Sequence, residues 1–177
     1  MSRLDYSLVR LLAPSVDEIT LHIKSLSKED RYLRFGYPVS DSNVDAYVAS
    51  TIASTEKQDN YWFGILDGDK LVATIHIATM GDVAEFAFTT AEDYRGQKLG
   101  QLLFARGHQL VTEYKITRIY LACLSQNIAM RHIAKKFGLS VMTYGTDSEA
   151  SVNIQYPVPL SHLNEVKMCI IDKNLGK

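Results

Sequence analysis

"EFAFTTAEDYRGQKLGQLLF", residues 85–104, passes from an apolar strand through a basic, glycine-containing turn into a helix with leucines at helical spacing. A helix start leaves about four backbone N–H groups without helical partners, and they sum to roughly half a positive charge. Gly96 and Gly100 allow another molecule close to that backbone, while Arg95 and Lys98 add mobile positive charge. The stretch therefore predicts a seat for a phosphate-bearing ligand where the helix begins. A capped surface turn is the plainer alternative for the same residues. Two other phosphate motifs are absent: no Gly-Lys pair precedes Ser or Thr, and no three glycines stand at dinucleotide-fingerprint spacing.

Upstream, "YWFGIL" (61–66), "LVATIHIAT" (71–79) and "VAEFAFTT" (83–90) are strand-like runs rich in β-branched and aromatic residues. Asp67-Gly68-Asp69 and Met80-Gly81-Asp82 separate them, which predicts an antiparallel meander. The first third reads as a strand, "SLVRLLA" (7–13), followed by helices. Val16, Ile19, Ile23 and Leu26 recur at helical spacing, Ser27 and Asp30 cap a short helix, and Val44, Tyr47, Val48 and Ile52 share one face of a third. Downstream, Leu99, Leu102, Leu103, Leu110 and Tyr114 form a helical stripe that leads to a buried strand, "TRIYLACL" (117–124). Another helix follows, with Met130, Ile133, Ala134 and Phe137 inward and Lys135, Lys136 and Gly138 at its end. "SVMTY" (140–144), "VNIQY" (152–156) and "EVKMCII" (165–171) are further strand candidates. This order predicts an α/β (α+β) fold, a mixed and mostly antiparallel central sheet with helices on both faces.

The 177 residues suit one domain spanning 1–177, and 46% apolar residues suffice for its core. A net charge of −1 gives no general field for recruiting nucleic acid or an acidic membrane, so neither is expected as a partner. Neither a secretory signal nor a run near ~18 apolar residues is evident, and Cys123 lies within an apolar run. The expected location is the cytoplasm. The five histidines show no metal-ligand spacing, so no metal is expected.

The quoted stretch resembles the acetyl-CoA-binding signature of the GNAT acyltransferase superfamily, a strand, then Arg/Gln-x-x-Gly-x-Gly/Ala, then a helix. Here it reads Arg95-Gly96-Gln97-Lys98-Leu99-Gly100, with Lys98 where the pattern prefers glycine. "NIAMRHIAKKFGL" (127–139) resembles the family's Asn-led helix, with Leu139 in place of the usual aromatic. The resemblance implies a GNAT-like fold and acetyl-CoA as co-substrate. It also implies that backbone groups of Phe88, Thr89 and Thr90 pair with the pantetheine amides. The diphosphate would fall to the amides of Gln97, Lys98, Leu99, Gly100 and Gln101, and Asn127 would contact the cofactor. Ordinary sheet pairing is the alternative for Phe88–Thr90.

The implied activity is transfer of an acetyl group to a primary amine by direct attack while both substrates are bound. An amine of pKa near 10.4 is only about 0.04% neutral at pH 7, a scarcity worth roughly 4.6 kcal/mol unless a base removes the proton. Glu85, the only charge in its strand, is the candidate, with burial expected to raise its pKa. A solvated strand-end residue or a structural ion pair are the alternatives. "AEFAFTT" (84–90) resembles the protein-lysine-acetylating subgroup, in which a glutamate at this place is the base. "LSKEDRYLRFGYP" (26–38) is similar to that subgroup's helical segment beside the acceptor site, so Tyr32, Arg34 and Phe35 are candidate substrate contacts; a packed amphipathic helix explains them equally. The family's usual thiolate-protonating tyrosine corresponds to Ala134, so no general acid is assigned. The acceptor is a protein lysine or a small amine such as a polyamine, amino acid or antibiotic. A catalytically idle CoA-binding sensor or partner-binding module is the rival from another class. The late strands offer an edge, so the chain is expected to act as a monomer or a homodimer.

Overall fold

A computed structural model describes residues 6–57 and 59–154. Strand β1 (Tyr6–Leu11) is followed by a 3-10 turn with Pro14 in its first positions, then α1 (Val16–Ser25), α2 (Lys28–Phe35) and α3 (Asp41–Ala53). The meander follows as β2 (Asn60–Asp67), β3 (Lys70–Met80) and β4 (Val83–Thr90). Then come α4 (Leu99–Glu113), β5 (Arg118–Leu124), α5 (Ile128–Lys136), β6 (Ser140–Tyr144) and β7 (Asp147–Asn153). The helix starts carry the expected chemistry. Ser27 Oγ accepts from Asp30 N–H, Ser40 Oγ from Asn43 N–H, and Asn127 Oδ1 from Met130 N–H, each filling one otherwise orphaned donor.

The seven strands form one sheet in the order β1-β2-β3-β4-β5-β7-β6, with every pair antiparallel except β4–β5. Strand alternation divides its side chains between two cores. Tyr61, Phe63, Ile65, Ile75 and Phe86 face α4 and α5, where they meet Leu103, Phe104, Val111 and Ala134. Trp62, Leu66, Val9 and Leu11 face α1 and α3, where they meet Ile19, Ile23, Val44 and Val48. Gly107 brings α4 hard onto the sheet: a Cβ there would lie 2.7 Å from the Phe86 ring and 3.1 Å from Ile75 Cδ1.

The last described strand differs from expectation. It runs Asp147–Asn153 instead of starting near Val152. Its inward residues are the small Ser148 and Ala150, while Asp147 and Glu149 are exposed, so no apolar run marks it. Tyr144 pairs with Asp147 across a two-residue turn at Gly145 and Thr146, which sets the register. "EVKMCII" lies outside the described residues.

Candidate functional site

The parallel ladder between β4 and β5 is short. Val83, Ala84 and Glu85 pair with Arg118, Ile119 and Tyr120, and there it stops. Beyond this point β4 continues to Thr90 paired only with β3, and β5 continues to Leu124 paired only with β7. The two strands part, leaving one edge of Phe86–Thr90 without a neighbouring strand among the described residues. Such an edge presents backbone donors and acceptors at strand spacing. The parting opens a cleft of about 660 Å³, bounded by α2 on one side and by the starts of α4 and α5 at its wide end. Phe88, Thr89, Thr90, Arg95, Gly96, Lys98, Leu99, Gly100, Gln101 and Asn127 all line it. Gln97 does not; its Oε1 accepts the Tyr6 hydroxyl instead.

At the wide end the backbone leaves a run of amides without partners among the described residues. Gly96 (φ 74°) and Lys98 (φ 63°) both adopt left-handed conformations, and the N–H groups from Gly96 to Gly100 make no hydrogen bond among the described residues. Consecutive amides in such a turn form an anion-binding concavity. Lys98 carries this geometry without being glycine, at a cost of about 1–2 kcal/mol. Two expectations for this loop need correction, and a third gains a packing reason. Gln101 N–H is already bonded to Lys98 O at 3.0 Å, so it is not a free donor. Gly100 lines the cleft and also serves the packing of α4 on α5, since a Cβ there would lie 2.8 Å from Ile133 Cδ1. The Arg95 guanidinium is not loose but ion-paired with Asp30 of α2, spanning the cleft. Leu99 contributes only its amide, its side chain being buried in the core.

Thr89 anchors the middle of the cleft from below. Its hydroxyl lies 2.9 Å from His22 Nε2 and 2.5 Å from Thr74 Oγ1, and His22 Nδ1 lies 3.2 Å from Leu71 O. A carbonyl only accepts, so Nδ1 carries the proton, the Thr89 hydroxyl donates to Nε2, and Thr74 donates to Thr89. Burial holds His22 neutral, lowering its pKa to about 4; the nearby Lys70 charge also lowers it, against the Leu71 bond.

A second buried chain reaches the cleft through α2. Arg34 Nη2 donates to the Tyr47 hydroxyl at 2.5 Å, Tyr47 donates to His76 Nδ1 at 2.7 Å, and His76 Nε2 donates to Asn60 Oδ1 at 2.7 Å. Burial, aided by the Arg34 charge, lowers the His76 pKa to about 3, so the ring stays neutral and stacks on Trp62 at 4.6 Å. Of the three expected substrate contacts on α2, only Arg34 lines the cleft. Phe35 instead packs edge-on against Tyr47 at 5.3 Å, and Tyr32 is exposed away from it. Leu26, just before α2, and Asp30 and Leu33 on it line the cleft instead. On α5 the cleft extends past Asn127 to His132, and neither that histidine nor the Tyr47–His76 chain was singled out from sequence. Ala134 is buried in the core, far from a proton-donating role.

Glu85 also departs from expectation, being exposed where burial was expected. The core on the α4 and α5 side covers Ala84 and Phe86, while Glu85 points to the opposite face at a place the second core does not reach. It stands beside Tyr120, at the point where β4 and β5 part, roughly 10 Å along the strand from Phe88. Burial, a hydrogen bond with Glu149 and the Glu149 and Glu85 charges push the Tyr120 phenol up to about 12. Among the described residues no group of three or more His, Cys, Asp or Glu side chains converges on a metal position, and no helix is long and apolar enough to cross a membrane.

A model of the acetyltransferase (GNAT) family matches residues 23–139. No curated protein sequence matches the chain. Among solved structures it is similar to the GNAT domain of S. lividans PAT, at TM-score 0.73 and 17% identity, covering 83% of this chain and 89% of that one. It is also similar to the ribosomal-protein-S5-alanine acetyltransferase of Vibrio fischeri, at TM-score 0.71 and 10% identity, over 90% and 98% of the two chains. A third is the PaiA N-acetyltransferase of Thermoplasma acidophilum in complex with coenzyme A, at TM-score 0.65 and 17% identity, over 84% and 99%. At these identities the likeness is one of fold.

Proposed function

Because the chain belongs to the acetyltransferase (GNAT) family, we propose that it binds acetyl-CoA in the cleft between β4 and β5 and acetylates a primary amine held at the same time. The observation that carries this reading is the row of partner-free amides from Gly96 to Gly100 at the wide end of a parted sheet. Partner-free N–H groups of cleft-lining Gly96, Lys98, Leu99 and Gly100, backed by the Lys98 charge and the start of α4, match a diphosphate in charge and donor number. The open edge of Phe88–Thr90 matches an extended amide-bearing arm, as an added strand would. Asn127 commits Oδ1 to its helix cap, which leaves its Nδ2 for the same arm. Acetyl-CoA supplies the activated thioester. The protein supplies orientation, backbone N–H groups of the β4 edge toward the carbonyl oxygen, and a base.

Glu85 is that base. It is exposed at the narrow end of the parting, so it reaches the acceptor through water, and it needs no burial for the task. The likeness of residues 26–38 to the protein-lysine-acetylating subgroup favours a lysine acceptor. The half-buried Arg34 lining the cleft favours a small amine. The chain acts as a single domain in the cytoplasm, as a monomer or homodimer. Titration calorimetry with acetyl-CoA followed by thiol release against an amine panel tests the proposal. Binding with amine-dependent release supports it, and binding without release for any amine supports the idle CoA-binding module instead. No association at millimolar acetyl-CoA overturns both.

A further inference from the structure

Arg34 has no carboxylate partner among the described residues, although the other arginine lining the cleft, Arg95, is paired with Asp30. Its guanidinium is nonetheless fixed. It donates to Tyr47, whose hydroxyl is held in turn by His76 and Asn60, and it lies 4.8 Å over the Phe35 ring and 5.5 Å over the Tyr47 ring. A half-buried cation held by a buried hydrogen-bonded chain, with N–H groups to spare, is a preorganised anion receptor.

Its position along the cleft says which anion. Asp30 ties one end of α2 to the Arg95 loop, where the free amides lie. Arg34 is one turn further, about 6 Å along the helix axis. There it meets Tyr47, which joins His76, and His76 sits in register with Ala87 of β4. Arg34 therefore belongs to the stretch of cleft beside Ala87 and Phe88, away from the diphosphate seat. A second charge of opposite sign lies nearby. Glu85 and Arg34 both act electrostatically on the Tyr47 phenol, in opposite directions, yet they form no ion pair with each other among the described residues. Glu149, bonded to Tyr120 beside Glu85, adds to the negative side. A cation and an anion that flank one hydroxyl without closing on each other suit a molecule offering the complementary pair.

We propose that the acceptor is a free amino acid, its carboxylate held by Arg34 and its amine directed to Glu85. This rests on the acetyl-transfer reading above and names its substrate class. The ammonium proton passes to Glu85 through water, and the amine nitrogen forms the new C–N bond as the thioester C–S bond breaks. The sulfur leaves as thiolate, and the second proton, shed by the nitrogen as the amide forms, passes through water to that thiolate, giving an N-acetyl amino acid and CoA. Tyr47 is a positioning residue, acting through Arg34.

The test is steady-state thiol release with amino acids, their carboxamides and the matching decarboxylated amines, for instance phenylalanine, phenylalaninamide and phenethylamine across a set of side chains. The expected result is a kcat/KM at least about 100-fold higher for one or more amino acids than for their carboxamide and amine counterparts. Arg34→Gln should raise KM for the amino acid and erase that preference while leaving KM for acetyl-CoA near its original value. Arg34→Lys should restore part of it, and Tyr47→Phe should raise the amino-acid KM about tenfold with a smaller change in kcat. An unchanged melting temperature and acetyl-CoA affinity in Arg34→Gln separate recognition from misfolding. Carboxamides or amines that react as well as the amino acids, or lysine peptides that react while amino acids do not, overturn the acceptor class and leave acetyl transfer standing. Absence of release with every amine overturns acetyl transfer as well.

Discussion

Replacing Glu85 with Gln keeps the side chain's size and removes only its ability to take a proton. The residue is exposed, so stability should stay within about 0.5 kcal/mol of the original. Glu85 is also roughly 10 Å along the strand from Phe88, so acetyl-CoA affinity should not change. The kinetic loss has a ceiling. At pH 7 the scarcity of neutral amine is worth up to roughly 4.6 kcal/mol, the figure for a lysine-type amine and less for an α-amine, and a positioned base recovers about 100- to 10,000-fold. We expect kcat to fall about 100- to 1,000-fold at pH 7. The deficit should shrink as pH rises, because the neutral amine grows about tenfold per pH unit until the pH nears the acceptor amine's own pKa. The assay is thiol release from pH 7 to 9.5 on both proteins, with calorimetry for acetyl-CoA. Equal turnover at pH 7, or a deficit that stays constant with pH, would refute the reasoning.

Acid should unfold this chain through His22 and His76. Both are held neutral, with pKa values lowered to about 4 and about 3. The unfolded state then binds more protons below pH ~6.5, so stability is full above that pH and falls on acidification. From pH 7 to pH 5 the two histidines together should remove about 4 kcal/mol, and urea midpoints of His22→Gln should show roughly half that slope. Gly107→Ala forces a methyl to within 2.7 Å of the Phe86 ring and should cost about 1–3 kcal/mol by thermal denaturation, without a clash in the cleft itself. Lys98→Gly relieves a left-handed residue at φ 63° and should stabilise the chain by up to about 1 kcal/mol, yet weaken acetyl-CoA binding several-fold by removing a charge beside the free amides. A melting curve and a titration on the same sample check both halves.

The local parts of this fold were readable because local residues decide them. Asp67-Gly68-Asp69 and Met80-Gly81-Asp82 fixed the meander, and Ser27 with Asp30 fixed the start of α2. The turn at Gly96–Gly100 lies within reach of the same local reading, since its partner-free amides depend on its own backbone angles. What escaped was tertiary. The alternation of "VAEFAFTT" identifies the face that Glu85 shares with Ala87 and Thr89, but not that α1 and α3 cover this face over β1–β3 and stop short of Glu85. The packing role of Gly100 was hidden because nothing near it in sequence announces Ile133. The Arg34–Tyr47–His76–Asn60 chain joins α2, α3, β3 and β2, and no spacing along the chain links those four residues. Strand β7 hides because its inward side chains, Ser148 and Ala150, are too small to register as an apolar run.

The measurement closest to the central claim is an amide NMR titration with acetyl-CoA. If the diphosphate rests on bare backbone hydrogens, the largest shifts fall on Gly96–Gly100, with a second set at Phe88–Thr90, and pantetheine alone moves only the second set. Shifts that leave Gly96–Gly100 untouched at saturation would contradict it.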